Sequence, residues 1–144
     1  MNTEENKAIV RRYLQAVFEK DDLATAADLL ADEYQCYEPG REEPSDRAGT
    51  LQELKAYRAA FPDEQLQINE LTAQGDTVVV RTVFEATHRG EFYGMPASGK
   101  RIHAPYTIRF RVANGKIVEE RDEYDPQEFM RQLGAMPQSS GQKE

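Results

Sequence analysis

The chain has 144 residues, the size of one ordinary domain, and a chain this long hides roughly two thirds of its unfolded surface, so its core needs no disulfide or metal staple. Apolar residues make up 39% and charged residues 31%, a balance that excludes a disordered chain. A formal net charge of −8 repels phosphate backbones and anionic headgroups, which argues for no nucleic acid and no membrane among its partners.

No stretch approaches the ~18 apolar residues of a membrane span. The N-terminal run MNTEENKAIVRRY lacks an apolar signal core, so the expected location is cytoplasmic. The single cysteine, Cys36, cannot form an internal disulfide, and with two histidines it makes a poor metal set. A buried structural thiol is expected there, and no metal ligands.

A first helix is expected over 3–19, where Val10, Tyr13, Leu14, Val17 and Phe18 form one apolar stripe and Asn2 with Glu5 supplies the cap. A second covers 22–31, capped by Asp22. A short mixed segment, YQCYEP, and a polar loop, GREEPSDRAG, follow. A third helix is expected from Thr50 to Ala60, with Thr50 and Glu53 as a capping box and Pro62 beyond its end.

The period then changes from helical to alternating. Leu66 and Ile68 mark a modest strand. Gln74-Gly75-Asp76 is a turn into the β-branched run TVVVRTVFEATH, where Val78, Val80, Thr82, Phe84, Ala86 and His88 share the more apolar face. After a Gly- and Pro-rich loop at 89–100, Ile102, Ala104, Tyr106, Ile108, Phe110 and Val112 share one face of a long strand. Asn114-Gly115 signals a hairpin into KIVEERDEY. Asp125-Pro126 opens a last helix with Gly134 as its stop, and 135–144 reads as a polar, frayed tail. Tight turns make these strands antiparallel, and helices gathered outside the sheet must cover one face, so the class is α+β, one domain over 1–134.

The stretch GEFYGMPASGKR (90–101), the run FRVANGKIVEERDEYD (110–125) and FMRQLG (129–134) resemble the SnoaL-like polyketide cyclases in order and spacing. The resemblance implies a cone-shaped fold shared with nuclear transport factor 2 and ketosteroid isomerase, with a curved sheet and helices around an apolar pocket open at one end. It also implies a homodimer, and ring closure by intramolecular aldol condensation with an acidic residue as acid/base and no cofactor, metal or organic. Two positions depart from the family: Arg121 stands where a tryptophan is usual, and Tyr37 where a histidine is frequent.

Strand parity sorts the candidate residues. Counting from Ile117 as inward puts Arg121 and Asp125 on the pocket side, with Asp122 as the alternative if the register slips by one residue. A carboxyl in an apolar cavity has its pKa raised by desolvation and can exchange a proton near neutral pH, whereas a neighbouring arginine lowers it. Asp125 also suits an ordinary helix cap. His88 falls at the end of the inward face, as a donor at the pocket mouth or as a tie for the following loop. His103 falls on the outer face. Tyr106, and less directly Tyr13, could donate a hydrogen bond to a substrate oxygen. Tyr37, Phe84, Ile108 and Phe110 complete the expected substrate-binding set. These residues suit a cyclase or isomerase-type enzyme acting on a small enolisable ketone. A binder of a small hydrophobic or aromatic molecule and a hydrolase or dehydratase on the same fold are the alternatives.

Overall fold

The computed structural model describes residues 2–134; the tail expected at 135–144 lies outside them. Helix α1 (Thr3–Phe18) begins at the expected capping box, in which the Asn2 side chain accepts from the Glu5 N–H and the Glu5 carboxylate accepts from the Asn2 N–H. Helix α2 (Leu23–Leu29) is capped by Asp22, as expected, but ends two residues early. The chain turns extended at Leu30 and continues as strand β1 (Leu30–Tyr37), where the sequence suggested only a short mixed segment.

The third helix also differs from expectation. Helix α3 (Arg47–Ala60) starts three residues before Thr50, because the Asp46 carboxylate accepts from the Gly49 N–H at 2.8 Å and caps it there. Thr50 is then a buried helix-interior residue and not a cap. A two-residue strand, β2 (Ser45–Asp46), precedes it.

Strands β3 (Gln65–Gln74), β4 (Thr77–Thr87), β5 (Arg101–Ala113) and β6 (Lys116–Glu123) form an antiparallel meander, and α4 (Pro126–Leu133) closes the chain. Gly134 ends α4 in the left-handed region, φ 77°, which costs a glycine little. The open sheet has the order β2-β1-β6-β5-β4-β3 and is mixed, not wholly antiparallel as expected, because β1, next to the edge strand, runs parallel to β6. Among the described residues, no helix is long and apolar enough to cross a membrane.

The even-numbered rows behave as the alternation predicts. Val78, Val80, Phe84 and Ala86 of β4 are buried against Phe110, Ile108, Ala104 and Ile102 of β5. Two bulges break the period elsewhere. In β3, Asn69 is an extra residue between the pairs Ile68–Thr82 and Glu70–Arg81, so Leu71 and Ala73 take over the inner face and Ile68 stays 43% exposed. In β6, Val118 is the extra residue between Val112–Ile117 and Arg111–Glu119. Beyond it the even residues, Glu120 and Asp122, turn inward.

Two apolar clusters fill the space between helices and sheet. One joins α1 and α2 to β1, β4, β5 and β6 through residues such as Val10, Leu14, Leu30, Val80, Ile108 and Ile117. The other is aromatic and built on Phe61, Phe84, Phe92 and Phe129. The loop 89–100 is held against it where the Arg89 and Gly90 N–H groups both donate to the Ala60 carbonyl. A Cβ at position 90 would lie 2.4 Å from the Ala59 carbonyl oxygen, so only glycine permits that approach.

Candidate active site

Where the two clusters meet they leave a hollow of about 80 Å³. Helix α1 contributes Tyr13, Leu14 and Val17 to its wall, and α3 contributes Thr50, Glu53 and Tyr57. The sheet supplies Cys36, Phe84, Tyr106, Ile108, Glu120 and Asp122, while Tyr124 and Phe129 close the rim. A second hollow of about 210 Å³ shares Glu38, Glu53, Tyr57, Tyr124 and Phe129 with the first and forms its vestibule. Among the described residues no Lys, Arg or His lines the inner hollow.

The bulge at Val118 decides which acid reaches this space. Asp122 sits opposite Ile108 and is 7% exposed. Its Oδ2 accepts the Tyr106 O–H at 2.6 Å and lies 3.8 Å from the Cys36 thiol. No donor among the described residues reaches its Oδ1. Burial, and then the charge of neighbouring Glu120, hold the Asp122 carboxyl well above the usual carboxylate range; the Tyr106 hydrogen bond pulls the other way and is outweighed. Glu120, also 7% exposed, accepts the Tyr34 O–H at 2.6 Å. Burial likewise pushes the Cys36 thiol far up, which suits the inert, buried cysteine expected from the sequence.

The same bulge moves Arg121 and Asp125 out of the site. Arg121 projects from the outer face, where its guanidinium stacks 4.1 Å over the Tyr37 ring and its Nε donates to Glu119 at 2.8 Å. Tyr37 is therefore on the outside with it, and its hydroxyl donates to Gln35. Asp125 is exposed and caps α4 by accepting from the Gln127 and Glu128 N–H groups. His88 is buried away from the hollow. Its Nδ1 accepts from the Ser98 N–H, its backbone bonds Gly99 and Lys100, and its ring packs on Phe61, so it ties down the loop. His103 is on the outer face, paired with Glu85 at 2.8 Å. Phe110 lies behind the wall, edge-on to Tyr13 at 5.9 Å, and belongs to the core. Asp122, Tyr106, Tyr13, Phe84 and Ile108 are the expected residues that the fold brings together.

Sequence reading missed several wall residues. Glu38 accepts the Tyr124 O–H at 3.2 Å, and Arg41 bridges Glu38 at 2.7 Å and Glu53 at 2.9 Å across the mouth. These belong to the loop after β1, to α3 and to the segment after β6, and no local pattern links them. Glu64 lies against the hollow with Arg58 Nε at 3.3 Å. The other Arg58 N–H groups donate to the Val17, Phe18 and Pro62 carbonyls, and burial pushes the Glu64 carboxyl up to about 7 despite the arginine. A carboxyl raised above its unfolded value keeps its proton after the unfolded chain has lost its own. Stability should therefore fall as pH rises from about 4.5 to 7, and Glu64→Gln should flatten that fall. Urea midpoints of both proteins across this range check it; an equal slope in the variant would show that Glu64 does not titrate there.

The chain is an α+β cone with a buried acid on an apolar hollow, and comparison with known proteins gives its family. A family model described as SnoaL-like polyketide cyclase matches residues 8–133. Nogalonic acid methyl ester cyclase from Streptomyces nogalater is 33% identical over 78 residues, covering 54% of this chain and 58% of that protein, so the match spans little more than half of the curated relative. Among solved structures, IdmH from Streptomyces antibioticus, a candidate polyketide cyclase, is 29% identical with a TM-score of 0.77, over 90% of this chain and 98% of its own. AclR from Streptomyces galilaeus, a candidate hydroxylase, is 26% identical with a TM-score of 0.82, over 94% and 100%. The chain belongs to the SnoaL-like polyketide cyclase family.

Proposed function

We propose that this protein is a cofactor-independent cyclase that closes a ring in a small, enolisable polyketide-like ketone, with Asp122 as acid/base. The observation that carries the reading is the buried Asp122 carboxyl on the hollow, bonded through one oxygen to Tyr106 and without a donor on the other. Desolvation places such a group where proton exchange with an α-carbon is feasible near neutral pH. Tyr106 holds the carboxyl in orientation. The Tyr13 phenol lines the same space and is a candidate donor to the enolate oxygen, an interaction worth a few kcal/mol in a dry site. The aromatic rings of Tyr57, Phe84 and Phe129 suit a flat, apolar substrate that spans the hollow and its vestibule.

Enolisation leaves a signature that does not require the natural substrate. The protein should exchange the α-hydrogens of poly-β-keto esters for deuterium in D₂O, and should convert those of suitable length to cyclic aldols detected by mass spectrometry. Binding of these esters with exchange no faster than in buffer would replace the enzyme by a ligand carrier on the same fold.

A further inference from the structure

We infer that Glu64 selects the substrate: its carboxyl accepts a hydrogen bond from a hydroxyl carried by the end of the molecule remote from Asp122, so the ketone taken by this hollow is a hydroxylated one. The inference rests on the hollow being the substrate site, as proposed above, and not on any turnover there.

Glu64 closes the turn between α3 and β3, where its N–H donates to the Phe61 carbonyl at 3.0 Å. It is 4% exposed, and it lines the same hollow as Asp122. The next residue, Gln65, opens β3 and pairs with Glu85 of β4, whereas Asp122 is on β6. Strands β5 and β4 lie between β6 and β3. That is three strand spacings, about 14 Å measured along the sheet. The two carboxyls thus reach the hollow from opposite ends of the meander.

A buried carboxyl needs hydrogen-bond donors, and Glu64 lacks them. Arg58 Nε lies 3.3 Å from Oε2 of Glu64 but makes no hydrogen bond. The other nitrogens of that guanidinium are turned to carbonyls, Nη1 to Pro62 and Nη2 to Val17 and Phe18. Arg58 also has a second counter-ion, the exposed Asp21, at 3.7 Å. It is a strut between α3 and the end of α1 whose charge stays near Glu64 without satisfying its oxygens. Among the described residues, no other donor bonds the Glu64 carboxyl, in keeping with its upward displacement by burial.

A substrate hydroxyl supplies the missing donor. The other wall residues that α1 and the middle of the sheet contribute, such as Leu14, Val17, Phe18, Phe84 and Ile108, offer no side-chain acceptor. Glu38 and Glu53 are engaged by Arg41 at the mouth. A hydroxyl carried past the aromatic rings therefore has Glu64 to bond. A ligand with only hydrocarbon at that end would cover the carboxyl and leave it without a partner. The same residue thus favours the hydroxylated molecule and rejects its bare analogue.

Titration calorimetry with α-tetralone, an enolisable bicyclic ketone, its isomers hydroxylated on the aromatic ring and their methyl ethers tests this without turnover. At least one hydroxylated isomer should bind about tenfold or more tightly than α-tetralone, the ratio expected of a hydrogen bond to a charged acceptor. Its methyl ether, which has no proton to donate, should lose that advantage. An advantage kept by the ether, or no preference for any hydroxylated isomer, would overturn the inference. In Glu64→Leu the advantage should fall to about twofold or less, and in Glu64→Gln, whose amide oxygen still accepts, part of it should return. A Glu64 that served only Arg58 would cost stability when replaced and leave the ratio of the two affinities as it was, which would also overturn the inference. The ether comparison needs no variant, and the isosteric Glu64→Gln assigns the acceptor if Glu64→Leu does not fold. Exchange of the α-hydrogens is read separately: a hydroxyl preference without exchange upholds Glu64 as the selecting residue and overturns only the acid/base reading of Asp122.

Discussion

Asp122→Asn should lower kcat for ring closure by about a thousandfold, within the range that a positioned acid–base group contributes, while KM changes little. The amide keeps the shape of the carboxyl and an oxygen for the Tyr106 O–H, so the wall of the hollow survives. What it loses is the ability to take and return a proton. The same substitution should make the protein more stable at alkaline pH. The Asp122 carboxyl titrates above its unfolded value, so the wild type loses stability as pH rises from the unfolded carboxyl pKa, about 3.9, through the folded one; an amide has no such slope. Steady-state kinetics with thermal melts at pH 6 and pH 9 check both arms. A kcat within threefold of wild type in a folded variant would remove Asp122 from the chemistry. Asp125→Asn, which touches only the α4 cap, should leave kcat unchanged.

Phe61→Ala should destabilise the fold by about 3 to 5 kcal/mol, the usual cost of deleting a buried aromatic ring. Phe61 is fully buried, and its ring lies 5.3 to 6.2 Å from those of Tyr57, Phe84, His88, Phe92 and Phe129. These partners come from α3, β4, the 88–100 segment after it and α4, so the cavity left behind has no single element that can move in to fill it. Urea unfolding measures the loss. A change below about 1 kcal/mol would mean that this end of the protein repacks freely. Because Phe84, Phe129 and Tyr57 also line the hollow, KM should rise in the variant even where the fold persists.

The rows that keep a strict period were legible from the chain alone. The even residues of β4 and β5 face inward as their alternation requires, and Asn2, Asp22 and Asp125 cap helices by patterns visible within three residues. β1 was obscured because its partner is 86 residues away in the Tyr34–Glu120 contact; propensity in YQCY is weaker than the pairing that fixes it. Parity counted from Ile117 points first to Asp125 and to Asp122 only if the register slips; it does slip, because one extra residue reverses everything after it. The doublet Ile117-Val118 carried that signal: a half-buried strand that shows two adjacent apolar residues, both buried, has broken its alternation. Glu38, Arg41 and Glu53 meet at the mouth through tertiary packing, which no spacing rule reports.

The parallel pairing of β1 with β6 also governs when the site comes into being. The β3–β4 and β5–β6 hairpins close through local turns and can form early, whereas joining β1 to β6 must first close a loop of more than 80 residues. Until that late step, Tyr34 and Cys36 are far from Glu120 and Asp122, and a partly folded chain leaves both acids in water as ordinary carboxylates. During refolding, catalytic competence should therefore lag behind the sheet signal.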